Sequence, residues 1–463
     1  MLGSGYRTLW TTPIDVEVLD IDRFSGGLVA RKKGGGKQTK SLTLDGADGR
    51  EWKFRSVDKD PTGVLPKALQ DSFVDKLAQD QISASLPANA PVVDRLTDAL
   101  GVVHVDRRLV VLPDSPRLGD FREQFKGMLG TLEEDPSVKA PVTPGFAGFT
   151  RLVDTDELEK VLDADARERV DAPAFLRARL LDLVIGDYDR HKDQWDWAKD
   201  AGSGLWVPVP KDRDLAFVRF DGLLLDLVRA DVPKLVDFEQ QYPRIVGLTW
   251  QARFLDRRHL AELDWPRWSE AARAVQERLT DTVIDEAARR LPAPYYELEG
   301  ATLAAALKAR RDRLPDAARR FYELLAREAE VHATDEADAL QVLRQRDGVV
   351  EIVLAASGGT YFRRRYEPST TSEVRVFLKG GNDRAISEGE GSEVTVRVVG
   401  GEGDDFLDDS GSGHTRFYDS SGQNEVVRGP GTKESARPYT SPLDRTGNPE
   451  RDWGGETHFL PWI

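Results

Sequence analysis

Cysteine is missing from all 463 residues, which removes disulfides, thiolate nucleophiles and cysteine-ligated zinc together. Long apolar runs are missing too. None approaches the roughly 18 residues that a membrane-spanning helix needs, and the opening MLGSGYRTLW lacks the charged and apolar regions of a secretory leader. Positive charge is in deficit, with 65 Lys and Arg against 80 Asp and Glu and a formal net charge of −15. That balance argues against a general nucleic-acid role, because neutralising phosphates needs a basic face. Histidine is scarce, with six in the chain, and no G-x-S-x-G elbow marks a serine hydrolase.

What is present describes a globular chain. Hydrophobic residues make up 40% and charged residues 31%, and 10 Trp imply substantial cores or aromatic pockets. The length implies two or three domains. Residues 6–135 read as short alternating strands between Gly and Asp turns, interrupted by a helix over 69–86 and a further amphipathic turn at 93–100. Residues 136–258 switch to helix, with an apolar, arginine-studded stretch at 172–185 that ends at Gly186. Residues 259–345 are rich in Ala, Leu, Arg and Glu and read as a helical extension with solvated charged faces. Residues 346–430 carry β runs at roughly twenty-residue intervals, the pattern of a solenoid or stacked hairpins. Residues 431–463 read as a loosely packed tail. The fold class expected is α+β, with a small all-β domain at the C-terminal end.

Two segments carry the chemistry. LDLVIGDYDRHKDQW, beginning at Leu181, ends an apolar run with ionisable residues crowded just past a helix end, and VPVPKDRDLAF, ending at Phe217, places Asp212 and Asp214 on either side of Arg213. Two acidic clusters at that separation suggest one metal site. Phosphoryl transfer needs a carboxylate near the attacking group and one or two Mg²⁺ ions held against the phosphates. Asp189 and Gln194 stand five residues apart, the spacing of a kinase catalytic-loop acid and its metal-side partner, with Asp193 as a neighbouring oxygen donor. Upstream, KKGGGKQTK brings Lys37 and Lys40 beside glycines, the ingredients of a phosphate cradle or of a plain basic hairpin tip, without matching Walker A.

The D-R-H motif after an apolar helix resembles that of the secretory-pathway and HipA-type kinases. PKDRDLAF resembles the P-W-D-L-D-x-x-F segment of the spore-coat CotH kinases, and Gly127, Gly130 and Glu133 resemble the Gly-x-Tyr-x-Gly hairpin that leads to the hinge in that family. From RTLWTTP through VDKDP, DQISAS and RLVVLPD to GLTWQARFLDRRHL the chain is similar to the kinase-like segment of long bacterial envelope proteins, which carry a calcineurin-like phosphoesterase before it and a BamA/TamA-type barrel after it.

The resemblance implies an atypical bilobal kinase-like domain, ATP or another nucleotide with Mg²⁺ or Mn²⁺, and an envelope acceptor at a periplasmic or outer-membrane location. It gives catalytic roles to Asp189, Arg190 and His191, and metal roles to Asp189, Asp193, Gln194 and either Asp212 or Asp214. EWKFRSVDKD resembles the strand that presents a phosphate-binding lysine, where register places Arg55, with Lys53 and Lys59 as alternatives and Asp80 or Asp75 as the acidic helix partner. Arginine in that slot forks where lysine acts as a point charge. It also raises the competing reading, an inactive pseudokinase acting as a scaffold.

Blander readings stand beside these. Asp189, Arg190 and His191 also read as a buried charge network capping the helix that ends at Ile185. Gly186, Asp187, Asp189 and Arg190 spell G-D-x-D-R, one residue short of a binuclear metallophosphoesterase motif, but that site also needs an upstream D-x-H and a downstream G-N-H, and the chain has neither. GGEGDDFL, from Gly400, resembles one copy of a calcium-binding G-G-x-G-x-D-x-U repeat, with Gly380, Gly381 and Asp383 as a partial second copy, and otherwise reads as a solenoid turn.

Overall fold

The computed structural model describes residues 5–34, 39–59, 83–136, 146–149, 151–220, 236–391 and 393–440. Most of the helix expected over 69–86 falls outside them, as do Lys37, Asp75 and Asp80.

The first sheet is antiparallel throughout, in the order β1 (Leu28–Gly34), β2 (Thr39–Gly46), β3 (Glu51–Lys59), β5 (Leu129–Glu134), β4 (Arg107–Val111). Its two faces follow the period of two along each strand. Leu42, Leu44, Phe54, Val110 and Leu132 are fully buried against Leu28 and Phe125 on one face. Lys53 and Arg55, on either side of Phe54, therefore turn to the other face, which borders the helical body. Gly130 lets β5 lie flat on β3, since a Cβ there would stand 2.4 Å from the Arg55 carbonyl oxygen and 2.3 Å from the Phe54 ring.

The helical body comprises α1 (Ala90–Leu100), α2 (Thr155–Ala164), α3 (Ala172–Ile185), α4 (Arg253–His259), α5 (Trp265–Arg278), α6 (Asp281–Ala288), α7 (Ala301–Asp312) and α8 (Leu314–Arg327). A small sheet of β6 (Leu152–Asp154), β7 (Arg169–Val170), β8 (Trp195–Lys199) and β9 (Leu205–Pro210) lies beside it. Helix α3 is buried on nearly every side, with Phe175, Leu176, Leu180, Leu181, Val184 and Ile185 all fully buried, which makes it the central helix. Asp171 caps its start by accepting from the Ala174 N–H at 2.9 Å, with Pro173 in the first turn. Gly186, at φ 71°, ends it, and the Asp187 N–H turns back to the Asp182 carbonyl at 3.0 Å.

Within the helical extension α5 and α6 part at Thr280, whose hydroxyl caps α6 by accepting from Val283 N–H at 3.2 Å.

The C-terminal strands form a parallel two-sheet solenoid. One sheet stacks β10 (Glu328–His332), β14 (Glu373–Lys379), β16 (Thr395–Gly401), β18 (Thr415–Tyr418) and β20 (Lys433–Ser435). The other stacks β11 (Ala339–Arg344), β15 (Arg384–Gly389), β17 (Phe406–Gly411) and β19 (Glu425–Val427), with an antiparallel hairpin, β12 (Val350–Ala356) and β13 (Gly359–Tyr366), added at the β11 edge. Val331, Val376, Val398 and Phe417 occupy one register position on successive rungs, and all are buried. The stack continues to Ser435, past residue 430 where composition suggested it would stop, because Lys433–Ser435 completes the ladder on β18. An ion pair from Lys379 of β14 to Asp163 of α2, which also holds Arg258 of α4, and a bond from Arg364 of β13 to the Ala261 carbonyl fasten the solenoid to the helical body.

Candidate active-site cleft

The cleft lies where the outer face of the first sheet meets the turn that leaves β9 and the start of α1, with the α3 exit packed behind that turn. The α3 end is held by Arg310, which is fully buried. Its guanidinium donates to the carbonyls of Val184 at 2.9 Å, Leu183 at 2.6 Å and Gln241 at 2.6 Å. A cation at a helix C-terminus satisfies orphan carbonyls and complements the helix dipole.

Beneath the cleft runs a buried charge network centred on Asp182. It accepts from Arg179 at 2.9 Å and Arg213 at 3.0 Å, and the Arg190 Nε lies 3.4 Å away. Arg179 also forks onto Asp256 at 2.8 and 3.0 Å, and Arg190 reaches Asp187 at 3.5 Å. Three guanidiniums thus meet three carboxylates, and all six side chains are almost wholly excluded from solvent. Arg190 further donates to the carbonyls of Lys211 at 2.7 Å and Gln194 at 3.0 Å, and its guanidinium lies 4.6 Å from the centroid of the Trp195 ring. It is therefore the tie between the α3 exit and the β9 exit, with its donors turned into the protein.

The β9 exit is fixed just as firmly. Asn89 Nδ2, ahead of α1, lies 3.1 to 3.3 Å from the carbonyls of Arg213, Asp214 and Ala216. Phe217 N–H donates to the Ile185 carbonyl at 2.9 Å, and Arg213 donates to Thr97 at 3.0 Å. Asp212 and Phe217 both hold positive φ, 48° and 66°. That region is uncommon for side-chain-bearing residues and is tolerated better by Asp than by Phe.

On this frame the side chains singled out from the sequence take different places. Arg55, on β3, bonds Glu133 on β5 at 2.9 Å and lies 3.6 Å from Asp212. Burial works to lower its pKa, but Asp212 and Glu133 outweigh it and hold the guanidinium firmly charged. Lys53 shares its face and pairs with Asp135 at 3.5 Å. Recesses open on both sides of the Arg55–Asp212 pair. One is lined by Lys53, His104, Asp196 and Lys211, the other by Trp10, Ser85, Asn89 and Asp214.

Asp189 is half-buried, and its carboxylate accepts from Gln251 at 3.0 Å. Burial pushes the neighbouring Asp187 carboxyl up, with Arg190 opposing and Asp182, Asp214 and Asp189 adding to the rise. His191, Asp193 and Gln194 stand on the one-turn helix over 192–194 and its cap. Asp193 N–H donates to His191 Nδ1 at 3.3 Å, Gln194 Nε2 lies 3.3 Å from His191 Nε2, and the Asp193 side chain is 73% exposed. Lys40 is exposed on β2, its N–H on Ser56 Oγ, and Lys59 closes β3 opposite Thr39.

Three cleft-side residues, Gln251, Arg107 and Lys211, were not singled out from the sequence. Gln251 orients Asp189. Arg107 forks onto Asp94 of α1 at 2.6 and 3.0 Å and lines both recesses. Lys211 bonds Asp196 at 2.6 Å. Gln251 lies far along the chain from Asp189, whereas Arg107 and Lys211 meet their partners across the turn between neighbouring elements. Among the described residues, Asp94, His104 and Asp106 form the one trio of acidic and imidazole groups with ligand atoms all within 4.8 Å. Asp212 and Asp214 line the recesses, Asp189 stands on the α3 exit, and the three are not gathered at a point.

No family model matches the chain, and no curated protein matches it. Solved structures similar in shape include the Helicobacter pylori proinflammatory kinase CtkA, at TM-score 0.35 and 13% identity over 64% of this chain and 96% of that one. HipA from the Shewanella oneidensis MR-1 HipA–HipB–operator DNA complex follows at 0.33 and 16%, covering 68% and 71%. The Golgi casein kinase gives 0.30 and 12%, covering 69% and 75%. Residue roles do not transfer at such values, and the chemistry of this cleft stands on its own side chains.

Proposed function

We propose that the chain is an atypical bilobal, kinase-like phosphotransferase, with the five-stranded sheet as one lobe and the α3-centred body as the other. A nucleotide with Mg²⁺ or Mn²⁺ occupies the cleft, and a phosphoryl group passes to an acceptor in the cell envelope. The observation that carries the reading is the approach of Arg55, from the sheet, to within 3.6 Å of Asp212, from the β9 exit. A phosphate chain needs a fixed cation on one side and metal-holding carboxylates on the other, and that pair brings the two together. Guanidinium forks onto phosphate bidentately, so a bound nucleotide takes Arg55 from Asp212 and leaves Asp212 and Asp214 to the metal.

The donor set fits a hard divalent ion. Mg²⁺ uses one or two carboxylates and completes its shell with phosphate oxygens and water, which is why the acids need not converge beforehand. When bound, the ion offsets charge on the phosphates. Asp189, oriented by Gln251, positions the acceptor and takes its proton. The envelope setting and acceptor rest on the sequence resemblance.

The same ion pair favours a second reading. Arg55 and Asp212 satisfy each other across the cleft, as expected of a pseudokinase that serves as a scaffold. Melting of wild type and Asp214→Ala with ATP, GTP or ADP, with and without Mg²⁺ or Mn²⁺, separates the two, because a ligand that binds the native state alone raises the melting temperature. The phosphotransferase reading expects a metal-dependent rise that the variant loses. No rise with any nucleotide supports the scaffold.

A further inference from the structure

A column of acidic side chains runs through the solenoid turns, far from the cleft. Asp338, Asp383, Asp405 and Asn424 precede β11, β15, β17 and β19 and stand in register on successive rungs. From Asp383 onward, each carboxylate or amide oxygen accepts from the main chain of the rung before it. Asp338 N–H donates to Asp383 Oδ1 at 2.8 Å, Asp383 N–H to Asp405 Oδ1 at 2.9 Å, and Asp405 N–H to Asn424 Oδ1 at 2.8 Å. The glycines of GGEGDDFL permit this stacking. Gly403 takes φ 120° and approaches the Gly381 carbonyl so closely that a Cβ would stand 1.8 Å from its oxygen.

The two ends of the column are satisfied. Asp338 accepts from Tyr361 Oη and from the Thr334 N–H and hydroxyl, each at 2.8 Å, and Asn424 is neutral. The middle is not. Asp383 and Asp405 are 2 and 3% exposed, and Asp419, entering from the end of β18, is 8% exposed. The Oδ2 atoms of all three are buried without a hydrogen-bond partner. Two of them crowd Gly400, where a Cβ would lie 2.0 Å from Asp419 Oδ2 and 2.4 Å from Asp405 Oδ2. Asp383 stands one rung away, its free oxygen too far for all three to share one contact point.

We propose that a divalent cation, with calcium as the matching chemistry, sits between Asp405 and Asp419, with the Asp383 carboxylate one rung away adding negative charge around it without ligating it. Unpaired buried carboxylates are costly unless paired or bound to metal. A single shared proton would join Asp405 to Asp419 but leave one negative charge on the pair, beside the Asp383 carboxylate in the same interior. A doubly charged ion offsets the pair and attracts the third acid, and Ca²⁺ accepts six to eight oxygens in irregular geometry, so turn carbonyls and water complete its shell. The ion would act as a rivet between the last rungs.

Calcium chloride titrated into metal-stripped protein, in the Asp212→Asn/Asp214→Asn background that disables the proposed cleft metal site, tests this apart from the phosphotransferase reading. The expected result is saturable binding and a higher melting temperature, reversed by chelator, retained in Asp404→Asn and lost in Asp405→Asn. Asp419→Asn serves in the same way if Asp405→Asn does not fold. Absence of any calcium response in that background overturns the proposal, as does a response that survives both Asp405→Asn and Asp419→Asn. So does an Asp405→Asn protein as stable as its parent with no calcium effect on either, which is the signature of a shared proton.

Discussion

Replacing Asp189 with alanine is expected to abolish nucleotide-dependent phosphoryl transfer while leaving the protein folded. A positioned acid or base contributes roughly 10²- to 10⁴-fold, and the loss should be at least of that order. Folding should survive because Asp189 is half-buried and its carboxylate is bonded to a neutral amide, Gln251, at 3.0 Å. Removing it therefore orphans no buried charge, and substitutions of that kind usually stay within about 0.5 kcal/mol. Transfer of radiolabelled γ-phosphate, measured beside the melting curve, checks both halves. Full transfer by Asp189→Ala removes Asp189 from the chemistry.

Arg190→Met should do the reverse. Arg190 sits in the same D-R-H motif, but its donors face inward, to Lys211 and Gln194 carbonyls, Asp182 and Asp187. Deleting the cation leaves Asp187 with no guanidinium and the Lys211 carbonyl without this donor, while the Gln194 carbonyl keeps the Lys211 N–H at 2.9 Å. Breaking a buried ion pair from one side costs about 3 to 5 kcal/mol, a large share of the stability of an ordinary domain. Urea unfolding followed by tryptophan fluorescence is the appropriate measurement, since Trp195 lies directly under the guanidinium. A strongly lowered midpoint is expected. A variant with an unchanged midpoint and lost transfer would move Arg190 from the frame to the reaction.

The contrast between these neighbours shows what was legible in the chain. A helix ending at Gly186 followed by D-R-H was readable locally, because an apolar run, a left-handed cap and a charge cluster all lie within about one turn of each other. The alternation that turns Phe54 inward and Arg55 outward was readable for the same reason, as was the β repeat beyond residue 346. The reading of Asp189, Arg190 and His191 as a single charge network capping the helix divides on inspection. Arg190 belongs to such a network, the cap is made by Gly186 and by Arg310, and Asp189 is half-buried and accepts from Gln251.

Long-range partners left no trace in the sequence. Arg310 reaches α3 across more than a hundred residues, and the Arg179–Asp256 and Asp189–Gln251 pairs also join distant segments. No periodicity encodes such pairs, since each is set by how the helices cross. The solenoid's direction was hidden as well. Short β runs separated by Gly and Asp turns suit hairpins and parallel rungs equally, and the parallel register appears only once Val331, Val376 and Val398 are seen on one face.

The most direct measurement is calorimetric titration of ATP into wild type and the Asp212→Asn/Asp214→Asn double variant, with and without Mn²⁺. One site per chain that requires both ATP and Mn²⁺, and is lost in the double variant, is the predicted result. Absence of binding in wild type, or unchanged binding in the double variant, would contradict a nucleotide and metal site between Arg55 and the β9 exit.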